Sequence, residues 1–300
     1  MTRLHFLVDE HGMNLTKALL GTIIKYPVSS LGIDKKSGNI RTKKMGYFYA
    51  DKDNFEDVQR SAGTFGMRHP LTFLLEAADD IAYKTADIED AVKKGCISYE
   101  RLLQELRGFR PEQQTEQYRR IVSWLEERFG KGVQRDYSRP DLYAVQNWVI
   151  SAQGQMIAGV TDCFTANYGA IMDGSYGKDM FAGTGVELLM DALGDIAFRY
   201  AFDTRPILKL EIAAQTIFSF LLERFVDAVI PWDTDLPMTQ VQNKMVSLIS
   251  DNYKKIYSIC SKDKDEAEKL YLRLLLVTDY ICGMTDSYAK DLYQELNGIV

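Results

Sequence analysis

Three features of this 300-residue chain predict an all-α fold. Strand-type alternation is nearly absent, and apolar residues recur instead at three- and four-residue spacing. Proline, glycine and small polar residues punctuate these runs where helix ends require them. With 46% hydrophobic residues the chain can bury a large core, which argues against disorder.

Taken in order, Asn14 is placed to cap a first helix through Leu15, Leu19 and Ile23, which Pro27 ends with Lys25 and Tyr26 at the last turn. Residues 28–46 read as a loop rich in Ser, Gly and Lys, and residues 47–49 as a short extended piece. A helix follows Asp51, and two glycines between Ser61 and Met67 break it. Pro70 then opens a helix that runs, with a bend near Asp87, to Lys93-Lys94-Gly95, where cations and a glycine suit a helix end. Leu71, Leu74, Leu75, Ala78 and Ala82 form its apolar stripe. Ser98 caps a helix ending near Gly108, Pro111 opens one that stops at Gly130, and Pro140 opens a long one with Leu142, Val145, Val149 and Met156 buried. Further helices are expected over 187–202, 207–230, 238–260 and 264–296.

Composition excludes several classes of function. The longest apolar runs fall far short of the roughly 20 residues that cross a bilayer, and the first residues lead into no signal-peptide core. A cytoplasmic protein without a membrane partner is expected. Cys96, Cys163, Cys260 and Cys282 are scattered without a zinc or disulfide spacing. There is neither a P-loop nor a dinucleotide fingerprint. The net charge of −6 does not favour general attraction to nucleic acid. Residues 1–45, however, hold eight Lys or Arg against three acids, +5, which leaves −11 for the remainder. That segment is either a local anion site or a solvated basic loop, and single-stranded DNA could bind only through such a patch.

The most informative stretch is residues 68–87. Asp79 and Asp80 sit within an otherwise apolar helix, a costly placement unless the acids are paired, hydrogen-bonded or bound to something. Asp79, Tyr83 and Asp87 fall at i, i+4 and i+8, which sets a carboxylate, a phenol and a second carboxylate along one stripe. Read from residues alone, Asp79 either meets a neighbouring Arg or Lys or has a functional role. Tyr83 could simply pack along the helix, with Asp87 capping the next turn.

This stretch resembles the deoxyguanosine triphosphate triphosphohydrolase (dGTPase) branch of the HD-domain phosphohydrolases. Similar words recur in the family's order at Asn14-Leu-Thr-Lys, Lys25-Tyr-Pro, Lys43-Lys-Met-Gly-Tyr-Phe-Tyr and Asp279-Tyr-Ile-Cys-Gly-Met-Thr-Asp-Ser-Tyr-Ala. The resemblance implies a multi-helix HD-domain-like bundle and a metal-dependent hydrolase that converts dGTP and water to deoxyguanosine and tripolyphosphate. It implies that Asp79 is a metal ligand, that Lys25, Tyr26 and Lys44 touch the triphosphate, and that Tyr83 and Asp87 face the deoxyribose. The family holds its divalent metal (Mg, Mn or Fe) with a His, a His-Asp doublet and a later Asp. Here the only histidines are His5, His11 and His69, and none is followed by Asp. His69, beside Arg68 and Pro70, reads as a helix-entry residue, and His5 and His11 are not spaced for one helical face.

The chain is therefore expected to be similar to the family's later portion, incomplete on its N-terminal side and without a catalytic base of its own. Residues 1–95 would be the remainder of the HD-type region, closely packed on a C-terminal helical region, 96–300. The alternatives are a dNTP-binding or regulatory module without hydrolysis, and a piece completed by another segment. The family tends towards hexamers, so a homo-oligomer is expected. The block 279–288 reads as structural.

Overall fold

The computed structural model describes residues 12–299, so His5 and His11 lie outside the described residues. Among the described residues there are thirteen α-helices and no strand, which makes the protein all-α. Its contacts define two compact units, one of Thr16–Arg205 and one that joins the described residues up to Leu15 to those from Pro206 on. The expected division at 95/96 falls inside the first unit, where residues on both sides of it share one core.

The first unit begins with α1 (Lys17–Ile23), and here the structure corrects the expected cap. Thr16, not Asn14, accepts from the Leu19 N–H, while Asn14 has a left-handed φ of 48°. The helix stops at Ile23, where Ile24 turns extended with ψ 94°, so Lys25 and Tyr26 lie beyond its end. Residues 47 and 48 form no extended element, and Tyr49–Asp51 is a 3-10 turn leading into α2 (Lys52–Ala62). Tyr47 stacks on Phe55 of α2 at 4.0 Å, and this aromatic contact holds the segment without a strand partner.

α3 (Pro70–Lys93) starts at Pro70 as expected and runs unbroken through Asp87. Its buried face is not the leucine stripe. Thr72, Phe73, Ala77, Ile81, Thr85, Ile88, Ala91 and Val92 face inward, whereas Leu71 is 50% and Leu75 39% exposed, and Ala78 and Ala82 are exposed too. Two threonines shift the face, because their hydroxyls find backbone acceptors. Thr72 donates to the Thr22 carbonyl at 2.8 Å and Thr85 to the Ile81 carbonyl at 2.7 Å.

α4 (Tyr99–Gly108) is capped by Ser98. Pro111 opens only a 3-10 turn, Pro111–Gln113. α5 (Glu116–Gln134) begins after the Thr115 cap and passes Gly130, because a new cap outcompetes the proline. α6 (Pro140–Ala166) packs along α5 and α3. Trp148, fully buried, donates to the Ile121 carbonyl at 2.8 Å, and Gln153 donates to Thr85 at 2.8 Å. After the short α7 (Tyr168–Met172), α8 (Glu187–Ala197) continues into a π-helix, Phe198–Phe202. Lys84 of α3 donates to the Met190 carbonyl of α8 at 3.2 Å.

In the second unit, α9 (Arg205–Val229) supplies Leu221, Phe225, Ala228 and Val229 to a separate core. Two helices expected to be long are each broken in two. Residues 238–260 form α10 (Gln240–Leu248) and α11 (Asp251–Cys260), and residues 264–296 form α12 (Glu266–Cys282) and α13 (Asp286–Leu296). Extended backbone at Ile249 and Ser250 divides the first pair, and the Thr285 cap divides the second. Tyr280 and Tyr288, from the block read as structural, approach through their hydroxyls at 3.3 Å, and Tyr280 donates to the Leu248 carbonyl at 2.9 Å.

Candidate functional site

Two residues 54 positions apart meet at the centre of the candidate site. Lys25 Nζ lies 3.0 Å from Asp79 Oδ2, joining the loop after α1 to the exposed face of α3. The hydrogen bond to Asp79 raises the Lys25 pKa, with a smaller contribution from the nearby Glu76 and Asp80 charges. Asp79 is itself 65% exposed at its side chain, so the cost foreseen for a buried acid does not arise. Asp80, the inner member of the doublet, is half-buried, and burial pushes its pKa up.

Arg68 holds this arrangement together. It is 3% exposed, its Nη1 donates to Glu76, and its Nε donates to the Lys25 carbonyl at 2.7 Å. Its guanidinium also lies over the rings of Tyr26 and Phe73 at 5.6 and 5.5 Å. Lys25 is thus fixed by its backbone on one side and by Asp79 on the other. Sequence reasoning treated Arg68 only as a neighbour of His69. Its signal was its place at the head of the 68–87 stretch, with Glu76 two turns further on.

The loop carrying Lys44 is fixed by backbone approach. Gly46 donates to the Val28 carbonyl at 2.9 Å, and a Cβ at Gly46 would stand 1.7 Å from the Tyr26 carbonyl oxygen. No side chain fits there. Gly46 therefore seats the 43–47 segment against Tyr26, while Lys44 itself is exposed and pairs with no acid among the described residues.

Tyr83 and Asp87 continue the α3 stripe but are not drawn into the Lys25 pair. Tyr83 is 59% exposed and stacks on Phe202 of the π-helix at 6.1 Å. Asp87 does not cap the following turn. One of its oxygens, Oδ2, is buried without a hydrogen-bond partner, and burial, followed by the Asp90 charge, raises its pKa.

His69 occupies the N-cap of α3, as expected of a helix-entry residue. Its Nδ1 accepts from the Leu71 N–H at 3.2 Å, which requires the neutral ring. Burial lowers its pKa below 6.5, so its contribution to stability is complete above that value and is lost as pH falls through the lower folded value. His69→Asn keeps a capping oxygen without a titrating group. Between about pH 7.5 and 5.5 the wild-type melting temperature should therefore fall more than that of His69→Asn. Parallel curves would remove His69 from the pH response.

No group of three or more His, Cys, Asp or Glu side chains able to hold a metal occurs among the described residues. Within the described residues Asp79 therefore belongs to no three-ligand group, and its Oδ2 is taken by Lys25.

Fold and site together define an all-α protein that presents a lysine-paired carboxylate and an exposed tyrosine on one long helix. No family profile matches the chain. Full-length comparison does find relatives. The chain is 43% identical, over its whole length, to a deoxyguanosinetriphosphate triphosphohydrolase-like protein of Listeria monocytogenes, of which it covers 63%. It is 26% identical over 95% of its length to a deoxyguanosinetriphosphate triphosphohydrolase of Yersinia enterocolitica, and 27% identical over 96% to one of an Enterobacter species, covering 60% of each. The chain is thus similar over nearly all of its own length to proteins of the dGTPase family, and it spans about three fifths of the length of these relatives.

Proposed function

We propose that this chain is the nucleotide-facing part of a dGTP triphosphohydrolase, which cleaves dGTP with water to deoxyguanosine and tripolyphosphate. The observation that carries this reading is the Lys25–Asp79 pair. Two residues assigned separately, one to phosphate and one to metal, meet across 54 positions on the same solvent-facing surface. In the proposal Lys25 turns from Asp79 to the triphosphate, Lys44 adds a second mobile charge, and Tyr26 shapes the wall beside them. Tyr83 and Asp87 read the sugar, both lying on α3 one and two turns beyond Asp79. Asp79 contributes one carboxylate to a divalent-metal site (Mg, Mn or Fe) whose other ligands the described residues do not supply.

That same shortage of ligands favours a second reading, a dNTP-binding module that does not hydrolyse what it binds. Both readings predict binding. Lys25→Ala and Lys44→Ala should each weaken dGTP binding by about tenfold or more in calorimetry, while affecting deoxyguanosine far less, since a charge-assisted contact contributes about 1.5–3 kcal/mol. Equal losses for both ligands would place these lysines elsewhere. Tyr83→Ala and Asp87→Ala should narrow the preference for dGTP over GTP, because the lost groups contact the sugar. A preference unchanged in both variants would remove the sugar-reading role.

No helix among the described residues is long and apolar enough to cross a membrane. A homo-oligomeric assembly is part of the proposal, with the exposed Leu71 and Leu75 face of α3 available for burial.

A further inference from the structure

We infer that a cleft at the end of α4, separate from the Lys25 and Asp79 surface, binds a phosphate-class anion of more than one charge. The cleft has a volume of about 350 Å³, and Arg101, Arg110 and Arg199 line it. Its only lining carboxylate is Glu105, which is already engaged. Glu105 accepts from Arg101 Nη2, Arg199 Nη2 and the Tyr200 hydroxyl, each at 2.7 Å. Asp191, which accepts from Arg110 Nη1 at 2.8 Å, and Asp195, which accepts from Arg199 at 2.6 Å, are not part of the wall. These acids steady the guanidinium groups, and the wall itself carries three arginines against one glutamate.

Two backbone anomalies place those arginines. Arg110 has φ 39° and ψ 65°, a left-handed conformation disfavoured for any residue with a Cβ and further disfavoured before Pro111. Arg199 sits on the π-helix Phe198–Phe202, a rare geometry found mostly at functional sites. Ion pairs this exposed add little stability, so neither distortion is explained by the pairs alone. Both are explained if the arginines must converge on a ligand. Guanidinium forks match phosphate oxygens, and three arginines lining one cleft suit a pyrophosphoryl group better than a single carboxylate. The group is either free or carried on a nucleoside.

The test uses the full chain carrying Lys25→Ala and Lys44→Ala, which removes the phosphate contacts proposed on the other surface. The outcome is therefore independent of that proposal. Pyrophosphate and ADP are titrated by calorimetry, and saturable binding of at least one is expected. Tighter binding of ADP assigns the group to a nucleoside, and equal binding to the free anion. Arg110→Gly keeps the left-handed turn and removes the guanidinium, so it should weaken binding at least tenfold with a melting temperature unchanged or raised. Arg101→Gln should weaken binding with the helical circular dichroism preserved. Binding unchanged in both variants would overturn the site. Binding of a twelve-residue oligothymidylate that depends on Arg110, with none of pyrophosphate or ADP, would overturn it in favour of a nucleic-acid strand.

Discussion

Arg68→Ala is expected to lower stability by about 3–5 kcal/mol, the usual cost of removing one partner of a buried ion pair. The side chain is almost wholly buried and joins three elements at once. It donates to Glu76 on α3 and to the backbone carbonyls of Lys25 and Ile40, the latter at 3.4 Å, so its loss strands acceptors that water cannot easily reach. Lysine should not rescue it, because one ammonium cannot reproduce a planar fork serving these acceptors while lying over Tyr26 and Phe73. Urea denaturation measures the effect. Arg68→Met combined with Glu76→Leu should recover part of the loss, since the uncompensated carboxylate is then gone. A loss below about 1 kcal/mol for Arg68→Ala would show that the 24–46 loop is held by other contacts.

How much of this was legible in the sequence follows from which signals are local. The start of α3 was legible because Pro70 suits a first helical turn, and the caps at Ser98 and the entry at Pro140 for the same local reason. The buried face of α3 was not. Thr72 and Thr85 read as polar in sequence, yet each satisfies its hydroxyl on a carbonyl and is buried, which leaves Leu71 and Leu75 outside. The breaks inside 238–260 and 264–296 were hidden because apolar spacing continues across them, and only caps such as Thr285 mark them. Pro111 misled in the opposite sense, because Thr115, a few residues on, caps the helix that forms.

The candidate site divides in the same way. The family motifs pointed to Lys25 and Asp79 separately, but nothing in spacing says that residues 54 apart touch. Arg68 and Gly46, which create that contact, act through backbone atoms. The first holds the Lys25 carbonyl and the second admits the Tyr26 carbonyl where any Cβ would collide. The sequence left Tyr83 either packed along the helix or facing a ligand, and only the structure shows it exposed with its ring on Phe202 of the π-helix.

The purified chain alone should release no tripolyphosphate from dGTP above background, with Mg²⁺ or Mn²⁺ supplied. Hydrolysis at phosphorus near neutral pH needs a water made nucleophilic, and a metal ion does this only when several ligands hold it in place. Asp79 is one carboxylate, its Oδ2 is engaged by Lys25, and no cluster of three ligating side chains surrounds it among the described residues. His69 cannot substitute, because its Nδ1 is committed to the α3 cap. Nor does Asp87 replace the base, since one of its oxygens is buried away from any bound water or nucleotide. Adding a separately expressed segment of a relative that carries the His and His-Asp motifs should restore turnover if it docks on α3, and Asp79→Ala should abolish the restored activity. Metal-dependent release by the lone chain, lost in Asp79→Ala, would refute the expectation and mean that residues 1–11 or a second copy of the chain complete the site.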